Sequence, residues 1–215
     1  MALAGPGGSE RSERRGPNRA WRDGWWPGAR HLASPNTDER PSGIAIDLIV
    51  VHSISLPPGE YGSDAVQRLF TNSLDCDAHP YYDRLRGLRV SSHFFVRRDG
   101  AVVQFVSCDR RAWHAGVSSW RGRAACNDFS LGIELEGLED ATFEPAQYDA
   151  LARLLRALGR RYPIEAVLGH EHIAPGRKRD PGSAFDWRAL ARATRGPSRW
   201  WHDLHELHAH AHAAS

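Results

Sequence analysis

From Ile44 to Val51 the chain reads IAIDLIVV, apolar but for one aspartate, and it runs directly into His52. A run this short cannot span a bilayer, which needs about 20 apolar residues. It is also too continuously apolar for a strand with one face in water, where polar and apolar residues alternate. Such a segment fits a strand buried on both faces, inside a sheet that other layers cover. The apolar run therefore predicts a central strand with His52 at its end.

The rest of the sequence supplies partners for that strand. HFFVRR and AVVQFV, within Ser92 to Val106, flank Asp99-Gly100, a dipeptide favoured in tight hairpin turns where both central residues take positive φ. Leu131 to Glu136 (LGIELE) alternates and predicts another central strand, and Ala166 to Gly169 suggests one more. Apolar residues recur at Tyr148, Leu151, Leu154, Leu155 and Leu158, predicting an amphipathic helix over Glu144 to Tyr162. Asp64 to Phe70 suits a short helix, Asp186 caps another through about Ala193, and His170 to Ala184 reads as a loop. Helices and strands mix without a repeated βαβ pattern. The expected fold class is α+β (mixed α/β), a single domain with a central mixed sheet flanked by helices.

The expected organisation is a flexible basic N-terminal tail over residues 1–20, one domain over 21–195 and a His-rich C-terminal tail over 196–215. Trp21, Trp25 and Trp26 mark the onset of order, because exposed aromatic surface is costly. Five of the twelve histidines, His202, His205, His208, His210 and His212, fall in the last fourteen residues, where a solvated end is expected. A net charge of +2 gives no general attraction to nucleic acid, and no segment is long and apolar enough for a membrane. The start lacks a basic segment followed by a long apolar run, so no secretory signal is expected. Three cysteines without C-x-x-C spacing argue against a disulfide framework and a thiolate metal site, and fit reduced cytoplasm.

His52, His170 and Asp180 could form a catalytic metal site, three ligands plus an open position, if strand ends bring them to one rim. No local H-E-x-x-H signature binds them together, and a histidine at a strand end is more often structural. Glu134 and Glu136 share a strand face, and spacing does not choose between them. His172 stands as an alternative ligand two residues beyond His170.

The segments VVHSISLPPGEYG, LRVSSHFFVRRDG, RAWHAGVSSW, CNDFSLGIELEG and LGHEHIAPGRKRDPGSAFDW together resemble the type 2 N-acetylmuramoyl-L-alanine amidases, in unbroken order from Trp21 to about Leu190. The resemblance implies one Zn2+ held by His52, His170 and Asp180, with Glu134 as the catalytic carboxylate and Lys178 as the catalytic cation. It further implies substrate contacts from Arg89, Trp113, His114 and Asn127, and His93 in the site's wall; Trp113 and His93 also suit a packed core. The implied reaction is hydrolysis of the amide between the lactyl group of 1,6-anhydro-N-acetylmuramic acid and L-alanine, by a cytoplasmic monomer acting on a small muropeptide. Ser53 departs from the family, whose nearer members carry asparagine after the first zinc histidine. A non-catalytic peptidoglycan-binding module of the same fold is the alternative, although such modules tend to lose a ligand. Metal storage or nucleic-acid binding through the two tails is a weaker third reading.

Overall fold

The computed structural model describes residues 20–204. Most of the segment expected as an N-terminal tail, and His205, His208, His210 and His212, lie outside these described residues.

Along the chain come β1 (Arg30–His31), β2 (Thr37–Asp38) and β3 (Leu48–Ile54), then helix α1 (Ala65–Phe70). The hairpin β4 (Phe94–Val96) and β5 (Val102–Gln104) follows, and after it the short strands β6 (Arg111–Ala112), β7 (Ser119–Trp120) and β8 (Arg123–Ala124). The second half carries β9 (Ser130–Glu136), α2 (Pro145–Arg161), β10 (Ala166–Gly169), the single turn α3 (His170–Ile173) and α4 (Trp187–Thr194). Six strands form the main sheet in the order β1-β5-β4-β9-β3-β10. Its β4–β5 pair is antiparallel, and the other neighbouring pairs are parallel. The mixed sheet with flanking helices expected from the sequence is the fold that forms.

The central position of β3 follows from its composition. Leu48 to Val51 are wholly buried, with β9 on one side and β10 on the other. Parallel pairing needs cover on both faces. On one side α2 lays down Leu151, Leu154, Leu155 and Leu158, all buried, and packs against α4. The start of α2 is fixed by a capping box between Glu144 and Gln147. Asp186 Oδ1 accepts from Ala189 N at 2.8 Å and starts α4. A second apolar cluster joins Leu69, Phe70 and Tyr82 to Phe95, Val103 and Phe105.

Four local outcomes differ from the sequence reading. The strand expected over Ile44 to Val51 is shifted, so His52 sits inside β3, paired in register with Glu134. Sheet partners, rather than apolar content alone, set where a strand stops. In the hairpin, Gly100 has φ +80° while Asp99 is absent from the positive-φ residues. Arg97 N donates to Ala101 O and Gly100 N to Arg97 O, each at 2.9 Å, the pattern of a three-residue loop in which a left-handed glycine makes the bulge. The first residues after β10 form the turn α3 rather than loop. Packing also continues past residue 195, where Trp200, Trp201 and Leu204 are buried in the main core and Trp200 Nε1 donates to Ile164 O at 2.9 Å.

Candidate metal centre and its cleft

Register builds the site. Val51 aligns with Ile133 on β9 and with Gly169 on β10, so the next residue of each chain segment, His52, Glu134 and His170, falls in one row across three parallel neighbours. The carboxyl ends of these strands share one edge of the sheet, the place where open α/β sheets hold ligands. Asp180 arrives from the segment after α3, and its carbonyl accepts from Glu171 N at 3.0 Å. Gly182 holds that segment close, with φ +91° and a position where a Cβ would lie 2.1 Å from Glu139 O.

The three groups predicted as ligands converge. His52 Nδ1 is 3.0 Å from His170 Nδ1 and 2.9 Å from Asp180 Oδ2, and His170 Nδ1 is 3.1 Å from that same oxygen. All three side chains are buried, and they are the group of potential metal ligands found among the described residues. A tetrahedral ion with bonds of about 2.0–2.1 Å has ligand atoms roughly 3.3 Å apart, so the spacing suits zinc. Two imidazoles and one carboxylate are a borderline donor set of the kind zinc takes. The other nitrogens are occupied: His52 Nε2 lies 3.0 Å from His114 Nδ1, and His170 Nε2 lies 3.0 Å from Ala115 O.

Burial sets the charges. Burial pushes the His52 imidazolium down to about 4, against the opposing pull of Asp180, so the ring is neutral near pH 7. Burial alone would raise the Asp180 carboxyl. The His170 and His52 rings beside it overcome that and hold the group well below the usual carboxylate range. Glu134 behaves oppositely. Burial, aided by the Asp180 charge, raises it well above the ordinary glutamate value, and Lys178 pulls it part of the way back. Its Oε2 is buried without a hydrogen-bond partner. Glu136, two residues on, is engaged: Oε1 accepts from Gly62 N at 2.6 Å and Oε2 from Arg98 N at 3.1 Å. Geometry thus separates two carboxylates that alternation left equivalent.

A cleft of about 320 Å³ opens over this row, with His52, Glu134, His170, Lys178 and Asp180 among its lining. Trp113 and His114 also line it. Asn127 and His93 lie behind it. Asn127 Oδ1 accepts from His114 N at 3.1 Å and from Ala115 N at 2.8 Å. His93 is fully buried, and its Nδ1 accepts from Gly132 N at 3.0 Å. Arg89 is exposed between the lining residues Leu88 and Val90. Ser53 lines the cleft, and its Oγ is buried without a partner. His172 turns away from the ligand cluster, with Nδ1 accepting from Gly169 N at 2.8 Å and its ring against Trp187.

Two groups near the site had not been singled out from sequence. Arg40 is largely buried and donates to Cys108 O, Asn127 O, Asp128 O and Ser130 O, tying the segment before β3 to the start of β9. Burial lowers it to about 10, which leaves it charged at neutral pH. Ser130 Oγ lies 3.2 Å from His114 Nε2. One signal for this neighbourhood was present in the sequence: Gly132 inside the LGIELE strand, since an interior glycine often marks the close approach of another group. A Cβ there would lie 2.5 Å from His114 Cγ.

Residues 42–183 match the family described as N-acetylmuramoyl-L-alanine amidase. The 1,6-anhydro-N-acetylmuramyl-L-alanine amidase AmpD of Citrobacter freundii is 52% identical over 178 residues, which cover 82% of this chain and 95% of that protein. The AmpD of Escherichia coli strain K12 is 53% identical over 166 residues, covering 76% and 91%. Among solved structures, a selenomethionine AmpD derivative superimposes with a TM-score of 0.79 at 50% identity, covering 81% of this chain and 98% of that one. The Escherichia coli amidase AmiD, in complex with anhydro-N-acetylmuramic acid-L-Ala-D-gamma-Glu-L-Lys as substrate, matches with a TM-score of 0.51 at 32% identity, covering 72% and 60%.

Proposed function

This chain belongs to the N-acetylmuramoyl-L-alanine amidase family, and from that premise we propose how its cleft performs the reaction. It is a zinc-dependent amidase of muropeptides, cutting the amide between the lactyl group of 1,6-anhydro-N-acetylmuramic acid and L-alanine. The observation that carries this reading is the convergence of His52 Nδ1, His170 Nδ1 and Asp180 Oδ2 beside a buried, unpartnered Glu134 carboxylate in one open cleft.

Zinc, when held by these three side chains, supplies Lewis acidity and brings the pKa of a water down toward 7. Glu134 accepts the proton of the attacking water and delivers it to the departing amine of L-alanine. Its raised pKa suits both halves of that task, because a catalytic acid–base group works best near the operating pH. Lys178 places positive charge at the cleft where the carbonyl oxygen becomes negative. Trp113 offers a flat apolar face to the sugar, and Arg89, beside the cleft lining, is placed to meet the peptide's carboxylates. Ligands, base and cation all come from one chain, so we take the monomer as the working unit. We also place the protein in the cytoplasm. Its cysteines Cys76, Cys108 and Cys126 are all free, in keeping with a reducing compartment, and among the described residues no helix is long and apolar enough to cross a membrane.

The test is hydrolysis of a purified anhydro-muropeptide, followed by mass spectrometry of the freed sugar and peptide, before chelation, after chelation and after zinc is restored. Loss and recovery of both products in step with bound zinc is the expected result. Undiminished hydrolysis after complete chelation, or a zinc-loaded protein that binds the muropeptide and leaves it intact, would overturn the reading.

A further inference from the structure

His114 faces His52 from the side away from the ligand cluster, and the atoms around it fix where every proton must sit. The chain of hydrogen bonds begins at a backbone carbonyl. Ser130 Oγ is 2.5 Å from Cys126 O, an approach that two oxygens tolerate only with a proton between them. A carbonyl has no proton to give, so the single hydroxyl proton of Ser130 is committed there. Towards His114 Nε2, at 3.2 Å, Ser130 Oγ can then act only as acceptor. His114 therefore carries its proton on Nε2, and as a neutral ring it presents a bare Nδ1. The bare Nδ1, 3.0 Å from His52 Nε2, accepts a proton from that nitrogen. His52 must then be bare at Nδ1, which is the atom aimed at the ligand cluster.

The same segment treats the second histidine alike. His170 Nε2 lies 3.0 Å from Ala115 O, which can only accept, so this ring too is protonated at Nε2 and bare at Nδ1. Arg177 Nη2 donates to that carbonyl at 2.6 Å and lies 3.3 Å from Nε2. Ala115 O, at 3.0 Å against 3.3 Å for the guanidinium, is the nearer partner of Nε2, and the ring donates to it. Asn127 Oδ1 accepts from both His114 N and Ala115 N, so one side chain pins the pair of residues that orient both imidazoles. Gly132 leaves the room: any side chain at that position would meet the His114 ring at 2.5 Å, on a strand held on both sides by β3 and β4. Two bare nitrogens and one carboxylate oxygen, 2.9–3.1 Å apart, then converge with no proton among them. That arrangement is stable only around a cation.

We infer that His114 is a positioning residue rather than a substrate contact, the middle of a relay from Cys126 O through Ser130, His114 and His52 that presents the His52 Nδ1 lone pair to the metal, with Ala115 O doing the same for His170. The inference rests on the zinc reading of the site. A hydrogen-bonded partner behind a metal-bound histidine fixes its tautomer and strengthens it as a ligand, and losing such a partner typically weakens metal binding by about 10–100-fold.

The zinc-loaded protein is labelled with nitrogen-15, and the His114 ring nitrogens are read by long-range proton–nitrogen correlation. The expected pattern is a protonated Nε2 and a bare Nδ1. A proton on His114 Nδ1 would overturn the relay, and this measurement needs no variant. Zinc affinity by chelator competition is then compared for wild type, Ser130→Ala, Ser130→Thr and His114→Ala, with the melting temperature of each metal-free protein as a check on folding. Ser130→Ala and His114→Ala should bind zinc about 10–100-fold more weakly, while Ser130→Thr, which keeps the hydroxyl, returns close to wild type. A folded His114→Ala that holds zinc as tightly as wild type would refute the positioning role. Asp180→Ala serves as the control for the site itself. If it too binds zinc normally, the ligand assignment fails; if it alone loses zinc, the ligands stand and the relay falls.

Discussion

Replacing Glu134 by glutamine separates chemistry from structure at this site. The two side chains have nearly the same shape, and Oε2 of Glu134 makes no hydrogen bond, so the exchange breaks no polar contact at that atom. The carboxylate is instead a burden on the fold. Burial and the Asp180 charge raise its pKa above the unfolded value of about 4.3, so the folded state holds the proton more tightly than the unfolded one. Its contribution to stability is therefore complete below about pH 4.3 and is lost as pH rises through the higher folded pKa. The metal-free Glu134→Gln protein should melt no lower than wild type at pH 7, with the difference moving in its favour between pH 4 and pH 7. Activity should move the other way. A positioned acid–base group contributes roughly 10²–10⁴-fold, which at about 1.36 kcal/mol per decade is ~2.7–5.4 kcal/mol of barrier. Zinc affinity should stay within about threefold, since no ligand or ligand partner is touched. The assays are kcat/KM on an anhydro-muropeptide, zinc content and thermal melting of the same preparation. A variant within tenfold of wild-type activity, or one that loses zinc in proportion to its activity, would refute the separation.

Asp180→Ala removes the anionic ligand and leaves His52 and His170 with an unneutralised ion, so zinc content after dialysis should fall to background along with turnover. The acid limb of kcat/KM should lie above the ordinary glutamate pKa, because Glu134 must be ionised to act, and it should move to still higher pH in Lys178→Met, whose lost charge had been lowering that group; a limb that moves down would contradict the assignment. Gly182→Ala forces a Cβ to within 2.1 Å of Glu139 O at φ +91°, so a loss of about 2 kcal/mol or more is expected, a fall of roughly 4–8 °C or more in melting temperature, accompanied by weaker zinc binding because Asp180 is two residues away. Leu151→Ala opens a cavity in the buried face of α2, costing about 2–5 kcal/mol, with zinc affinity unchanged in the protein that remains folded.

Legibility in the sequence followed the range of the interaction that fixes each feature. The α2 helix was plain, because its stripe of Leu151, Leu154, Leu155 and Leu158 and its first-turn cap lie within one segment. So was β9, whose limits differ from the expected Leu131 to Glu136 by one residue. The hairpin was legible in existence but not in turn type, since Asp99-Gly100 suits both a two-residue and a three-residue loop and the pairing of Arg97 with Ala101 decides. The end of β3 and the burial of Trp200 depend on partners far along the chain, and no local pattern carries them. Among site residues, histidines and carboxylates announce themselves by chemistry, whereas Arg40 and Ser130 act through backbone carbonyls that any sequence possesses.

Parallel pairing explains why so few residues suffice to make the site. With β9, β3 and β10 running in the same direction and in register, one step along each chain beyond Ile133, Val51 and Gly169 delivers Glu134, His52 and His170 to adjacent places on one edge. A slip of one residue would turn Glu134 to the opposite face and leave Leu135 in its place. The apolar residues just before these three, buried on both faces, are what forbid that slip. The core thus does more than stabilise the fold: the packing of Leu48 to Val51 and Leu131 to Ile133 sets the spacing between acid and metal ligand, so substitutions that disturb strand register should abolish turnover before they unfold the protein.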